Sequence, residues 1–322
     1  MNTERDQESI AAESLSDAAN PYATPANYPA QSGVKHGVHS ERPRLWTVFA
    51  VFFVAMGAML VFTTIVIVIY LGPTLFSGVP PQQSGIMDKL FTPYGFIVQA
   101  LPAQLAIILP AIIAAILSPV EWKQRLGFTD SGLTKGQFLA TGIGAFFPTA
   151  IGLGLAYLVT LVIPPDDSIA NLYKSMTFGW SIPFILFIAL LPGFAEEIMM
   201  RGYMQRRLLK RWAPWLAILV SSILFAVMHV TPHAILFAFP IGVWLGYVAW
   251  KTDSIWPTIF CHALINGTWN IVNVYSQLLE IPEQTQYVVL GVLFVVGLVC
   301  FVFSWSVIRR IDANRHAGTV AG

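Results

Sequence analysis

Charge is scarce in this chain. Asp, Glu, Lys and Arg make up 11% of its 322 residues, against 56% hydrophobic. A soluble domain carries about 25% charge, and an aqueous core has no room for the apolar surplus. Cysteine is almost absent: Cys261 and Cys300 both sit in apolar runs, which argues against a disulfide framework or a cysteine zinc site. Net charge is only +1, so no nucleic-acid partner is expected. The inverted repeats common in secondary transporters are not visible. The helical zinc signature His-Glu-x-x-His is also missing. The first apolar run starts at Leu45, too late and too long for a cleaved signal peptide.

What is present is a succession of long apolar runs. Residues 1–44 are rich in Ala, Ser, Pro, Asn and acids without apolar periodicity, and are expected to be a disordered cytoplasmic tail. Eight stretches follow: Leu45–Leu71, Tyr94–Leu117, Phe138–Ile163, Ile182–Met200, Ala213–Met228, Ala234–Trp250, Ile255–Tyr275 and Tyr287–Val307. A span needs ~20 apolar residues, so the expected fold is all-α. It is a polytopic membrane bundle of about eight transmembrane helices over 45–310, followed by a short tail at 311–322. Prolines 102, 110, 148, 192 and 240 lie inside these runs. They are tolerated where neighbouring helices re-satisfy the backbone.

The basic residues orient the bundle. From Lys35 onward, fifteen Lys and Arg fall in one set of alternate loops, among them Arg201, Arg206, Arg207, Lys210 and Arg211. The other set holds only Lys89 and Lys174. Basic residues stay on the cytoplasmic side. Both termini are therefore expected in the cytoplasm, in a multi-pass protein of the cell membrane.

Chemistry is confined to the second half of the chain. Ionisable groups inside apolar runs are costly in lipid and point to function. Here they are Glu196, Glu197, His229, His233 and His262. Glu197 and Arg201 are i and i+4, share a helix face and can pair. Glu196 is turned about 100° away and lacks that partner. An ordinary polar helix end is the alternative for this Glu pair. Phe225 and His229 are again i and i+4, so the ring can floor the histidine's pocket. A lone histidine at a helix end is more often a capping or core residue. His233 follows Thr231-Pro232 at a helix start, where a polar residue fits without chemistry. His262 and Asn266 share one face of the seventh run, continued by Asn270 and Asn273. Interhelical hydrogen bonding accounts for the last two and explains a mid-membrane histidine less well.

In order, Glu-Glu-x-x-x-Arg (196–201), Phe-x-x-x-His (225–229) and His-x-x-x-Asn (262–266) resemble the motifs of the CPBP intramembrane proteases. That family includes the CAAX prenyl endopeptidases and relatives tied to bacteriocin processing and immunity. The resemblance covers roughly 180–275. It implies an endopeptidase acting on a membrane-associated peptide or protein, with Glu196 as general base and His229 helping to hold the attacking water. His262 and Asn266 would stabilise the oxyanion, with Glu197, Arg201 and Phe225 in support. Peptide hydrolysis needs a base for water and donors at the oxyanion, so the chemistry is coherent. The family has been described both as metalloproteases and as metal-free. No cofactor is assigned; if a divalent metal such as zinc were bound, Glu196, His229 and His262 are the candidate ligands. A non-catalytic scaffold or bacteriocin self-immunity protein, and a transporter using the His/Asn stripe, are the competing readings.

Overall fold

The structure is a computed structural model and describes residues 44–78, 85–118, 121–164 and 168–311. The tail expected over 1–44 lies, except for Arg44, outside the described residues, as does 312–322. The described residues are helical, with no strand among them. The main helices are α1 (Leu45–Leu75), α2 (Pro93–Ile116), α3 (Lys135–Gly144), α4 (Phe146–Thr160), α5 (Phe178–Glu197), α6 (Pro214–Val227), α7 (Pro232–Thr252), α8 (Trp256–Leu278) and α9 (Glu283–Ile308). A π-helical segment, Ile198–Gln205, and the turn Arg206–Leu209 continue α5 without a break.

Every apolar run read from the sequence is helical here, but among the described residues six spans rather than eight are long and apolar enough to cross a membrane. The count of eight is therefore not confirmed. The two helices outside that set are informative. α6 has only 14 residues. α8 has 23, but His262, Asn266, Asn270 and Asn273 lower its hydropathy. A helix carrying such a stripe is sustainable only inside protein.

The packing order follows from this. α1 packs on α2, α2 on α5, α5 on α8, α4 and α6 on α7, and α3 on α9. Only 11% of the apolar window is buried in α1 and in α9, against 50% in α7. The outer helices thus present apolar side chains to lipid, and α5, α7 and α8 form the centre. Local chemistry sets the breaks. Pro148 cannot donate to the carbonyl of Gly144, and the third run divides at Ala145 into α3 and α4. Thr134 and Gln137 form a reciprocal capping box at the start of α3. Thr231 caps α7, with Pro232 in its first turn. His233 lies just inside that start, its Nε2 3.0 Å from the carbonyl of Ile163. Gly193 brings α5 against α8: a Cβ there would lie 3.1 Å from the backbone nitrogen of Ala263. Small residues at such crossings let helix backbones approach. Both cysteines are free, Cys261 fully buried and Cys300 partly so.

Candidate active site

The centre of the bundle is built around the Glu pair at the end of α5. Glu197 and Arg201 are wholly buried, and Arg201 Nη1 donates to Glu197 Oε1 at 2.6 Å. Arg201 Nη2 donates to the carbonyl of Gly242 on α7 at 2.9 Å. The guanidinium stands over the Phe225 ring, 4.4 Å from its centre. One side chain thus joins α5, α6 and α7. The π segment that begins straight after Glu197 is buried along its whole length. Such wide turns are uncommon and cluster at functional sites.

His262 on α8 closes the group. Its Nδ1 lies 2.9 Å from Glu197 Oε1. A carboxylate can only accept there, so Nδ1 carries the proton and Nε2 is turned towards Glu196, 3.9 Å from Oε2. Glu196 is 6% exposed. Its Oε1 accepts from Gln104 Nε2 on α2 at 3.0 Å, and Oε2 has no hydrogen-bond partner among the described residues. The two carboxylates therefore differ. Glu197 is fixed by two cationic or N–H partners, and Glu196 keeps one oxygen uncommitted beside His262.

His229 sits just past the end of α6 and is half-buried. Its ring meets the edge of Phe225 at 5.2 Å, and His262 meets the same ring at 5.7 Å. The phenyl ring therefore separates and positions both histidines. His229 Nδ1 donates to the carbonyl of Phe225 at 3.0 Å, which leaves Nε2 as an acceptor. Asn266 lies one turn along α8 from His262, and its Nδ2 donates to the carbonyl of Ile188 at 3.3 Å. Below it Asn270 accepts from the Tyr173 hydroxyl at 3.0 Å and donates to the carbonyl of Asn266 at 2.8 Å, a structural use of that amide.

Glu196, Glu197, Arg201, Phe225 and His262 thus form one contiguous group, with His229 joined through Phe225. Asn266 shares the α8 face but makes its hydrogen bond to α5. Among the described residues no three His, Cys, Asp or Glu side chains are arranged to hold a metal ion. Glu196 Oε2 and His262 Nε2 face each other, while His229, whose Nε2 is left open, is joined to them only through the Phe225 ring. Among the described residues the donor set does not make a three-ligand site.

Two participants escaped the sequence reading. Gln104 lies in a run otherwise searched only for acids and bases. Gln205 binds the carbonyl of Gly246 at 2.7 Å and accepts from Ser221 at 3.0 Å, stitching the π segment to α6 and α7. For Gln104 the available signal was an amide within an apolar run, where lipid offers no partner.

The site lies within a recognised domain. Residues 178–268 match the model of the Rce1-like family, described as type II CAAX prenyl endopeptidase Rce1-like. The match runs from the first residue of α5 into α8, so it contains all seven motif residues. It supports the resemblance, read from them, to the CPBP intramembrane proteases. It spans under a third of the chain. No curated protein and no solved structure matches the chain.

Proposed function

We propose that the chain is an intramembrane endopeptidase in which Glu196 activates water against a peptide bond of a membrane-associated protein or peptide. The observation that carries this is the asymmetry of the Glu pair: Glu197 is locked between Arg201 and His262, and Glu196 holds an uncommitted Oε2 at 3.9 Å from His262 Nε2. A water bridging the two atoms, about 2.8 Å from each, would enter as the side chains part, since Oε2 is buried.

In this reading Glu196 Oε2 takes a proton from water as the water oxygen bonds to the substrate carbonyl carbon. The carbonyl π electrons move onto oxygen. Asn266 supplies a donor to that oxyanion, since an amide nitrogen bears two N–H groups and Ile188 uses one. His262 joins it, a role that requires the doubly protonated ring. His229 Nε2, an acceptor, helps hold the water. As the tetrahedral intermediate collapses, Glu196 returns the proton to the amide nitrogen and the C–N bond breaks. Gln104 holds the other oxygen of Glu196 and so aims the base.

The basic asymmetry of the loops supports termini in the cytoplasm of a cell-membrane protein, which places the π segment and its basic continuation at the cytoplasmic edge. The substrate would reach the site from that side, and a prenylated C-terminus is one candidate class. The test compares membrane-derived peptides from cells bearing the wild-type chain or Glu196→Gln. Peptides lost only in the variant support hydrolysis. Identical peptide sets together with an intact biological effect favour a scaffold or immunity protein.

A further inference from the structure

A second polar site lies outside the motif residues. The start of α1, the end of α2 and the Arg206–Leu209 turn surround an open cavity of about 420 Å³. Its polar wall comprises Trp46, Thr47, Ser118, Arg125, Tyr203 and Arg207, and its apolar wall includes Ala50, Ala114 and Leu117. No motif residue lines it. Three spans begin or end here, at Leu45, Ile116 and Leu209, so the cavity lies at the level of the membrane interface. Trp46, 64% exposed, is the kind of aromatic that anchors there.

Basic residues predominate at this level, with Glu121 capping the short helix that carries Arg125. Arg207 lies over the Tyr203 ring at 4.9 Å and reaches Thr47 Oγ1 only at 3.4 Å. Its Nε is buried without a hydrogen-bond partner among the described residues. Arg125 donates Nη1 to the Ser118 hydroxyl. Lys210 follows directly, and its ammonium pKa is pulled down by partial burial and by Arg125, Arg206 and Arg207. The neighbouring acid, Asp253, is taken by Arg206 at 2.6 Å. The guanidinium groups of Arg125 and Arg207 on one cavity match the oxygens of a phosphate. The apolar wall continues along α1 and α2 towards the lipid.

We propose that this cavity binds the phosphate headgroup of an anionic phospholipid, with its acyl chains running down the α1–α2 face. Basic pockets between spans at the cytoplasmic level are suited to such headgroups. The proposal is independent of the hydrolytic reading, because its residues are not those of the Glu196 site.

The test uses the full chain purified in a neutral detergent and titrated with dioleoyl phosphatidylglycerol or dioleoyl phosphatidylcholine. Bound lipid is read by native mass spectrometry and melting is read in parallel. The wild type should retain phosphatidylglycerol at least tenfold better than phosphatidylcholine. Each arginine near the surface is worth roughly fivefold. Arg207→Gln should therefore weaken retention about fivefold and Arg125→Gln/Arg207→Gln roughly 25-fold. Lys174→Gln, in a loop of the opposite set, should change nothing. Should the double variant misfold in phosphatidylcholine, Arg207→Lys, which keeps the charge and loses the fork, is read instead and should bind less well than wild type. Equal retention of the two lipids, or wild-type retention by the arginine variants, would overturn the proposal. So would an equal melting shift with inorganic phosphate alone, which assigns the cavity to a soluble anion.

Discussion

Removing the charge of Glu197 tests the core of the bundle most sharply. Glu197→Gln keeps shape and hydrogen-bonding capacity but leaves Arg201, which is fully buried, without its anion. The remaining direct contacts of Arg201 are the Gly242 carbonyl and the Phe225 ring, both neutral, with the Glu196 carboxylate acting on it only through space. Breaking a buried pair on one side costs about 3–5 kcal/mol. His262 Nδ1 loses a charge-assisted acceptor in the same step. Removing both partners, in Glu197→Gln/Arg201→Met, takes away the orphaned charge. The double variant should therefore be less destabilised than the sum of the two single changes, with a coupling at the upper end of the roughly 0.5–3 kcal/mol seen for contacting residues. Equilibrium unfolding of the purified chain in mixed micelles measures all four corners of the cycle. A single variant that loses under about 1 kcal/mol, with additive effects in the double, refutes the claim that this pair holds α5, α6 and α7 together.

Other outcomes follow from the same geometry. Asn266→Ala should slow turnover by roughly 10²–10³-fold, the loss of one oxyanion donor, with a smaller effect on KM; kinetics on a cleaved peptide checks this. Gln104→Leu removes the donor to Glu196 Oε1 and should lower kcat at least about tenfold, in line with a hydrogen bond to a charged group. Its folding should lose about 1–3 kcal/mol, because the buried Glu196 Oε1 is left without its donor. A cysteine at Glu280, between α8 and α9, should be labelled from outside the cell; labelling only after permeabilisation refutes the orientation.

The helical runs were legible because membrane spans announce themselves by composition, and the motif spacings placed Glu197 opposite Arg201 before any coordinates. The crossing count was not legible. α8 meets the length of a span but hides its polar stripe among neighbours, and α6 is too short to cross alone. Nor was the π segment, since eight residues of ordinary composition carry no mark of a wider turn. His229 stands at the far end of its run from the Glu pair, and spacing alone does not bring it to the site. The structure joins them through the Phe225 ring, which touches Arg201, His229 and His262. Gln104 lies 92 positions before its partner, a tertiary contact that no local pattern encodes.

The central claim is that Glu196 acts on water while Glu197 holds structure. Its most direct test measures cleavage rate and unfolding on the same preparation of Glu196→Gln, reconstituted with a peptide the wild type cleaves. The account predicts a fall in rate of roughly 10²–10⁴-fold, the usual worth of a positioned base, with the unfolding midpoint close to wild type. A Glu196→Gln chain that cleaves at the wild-type rate contradicts it.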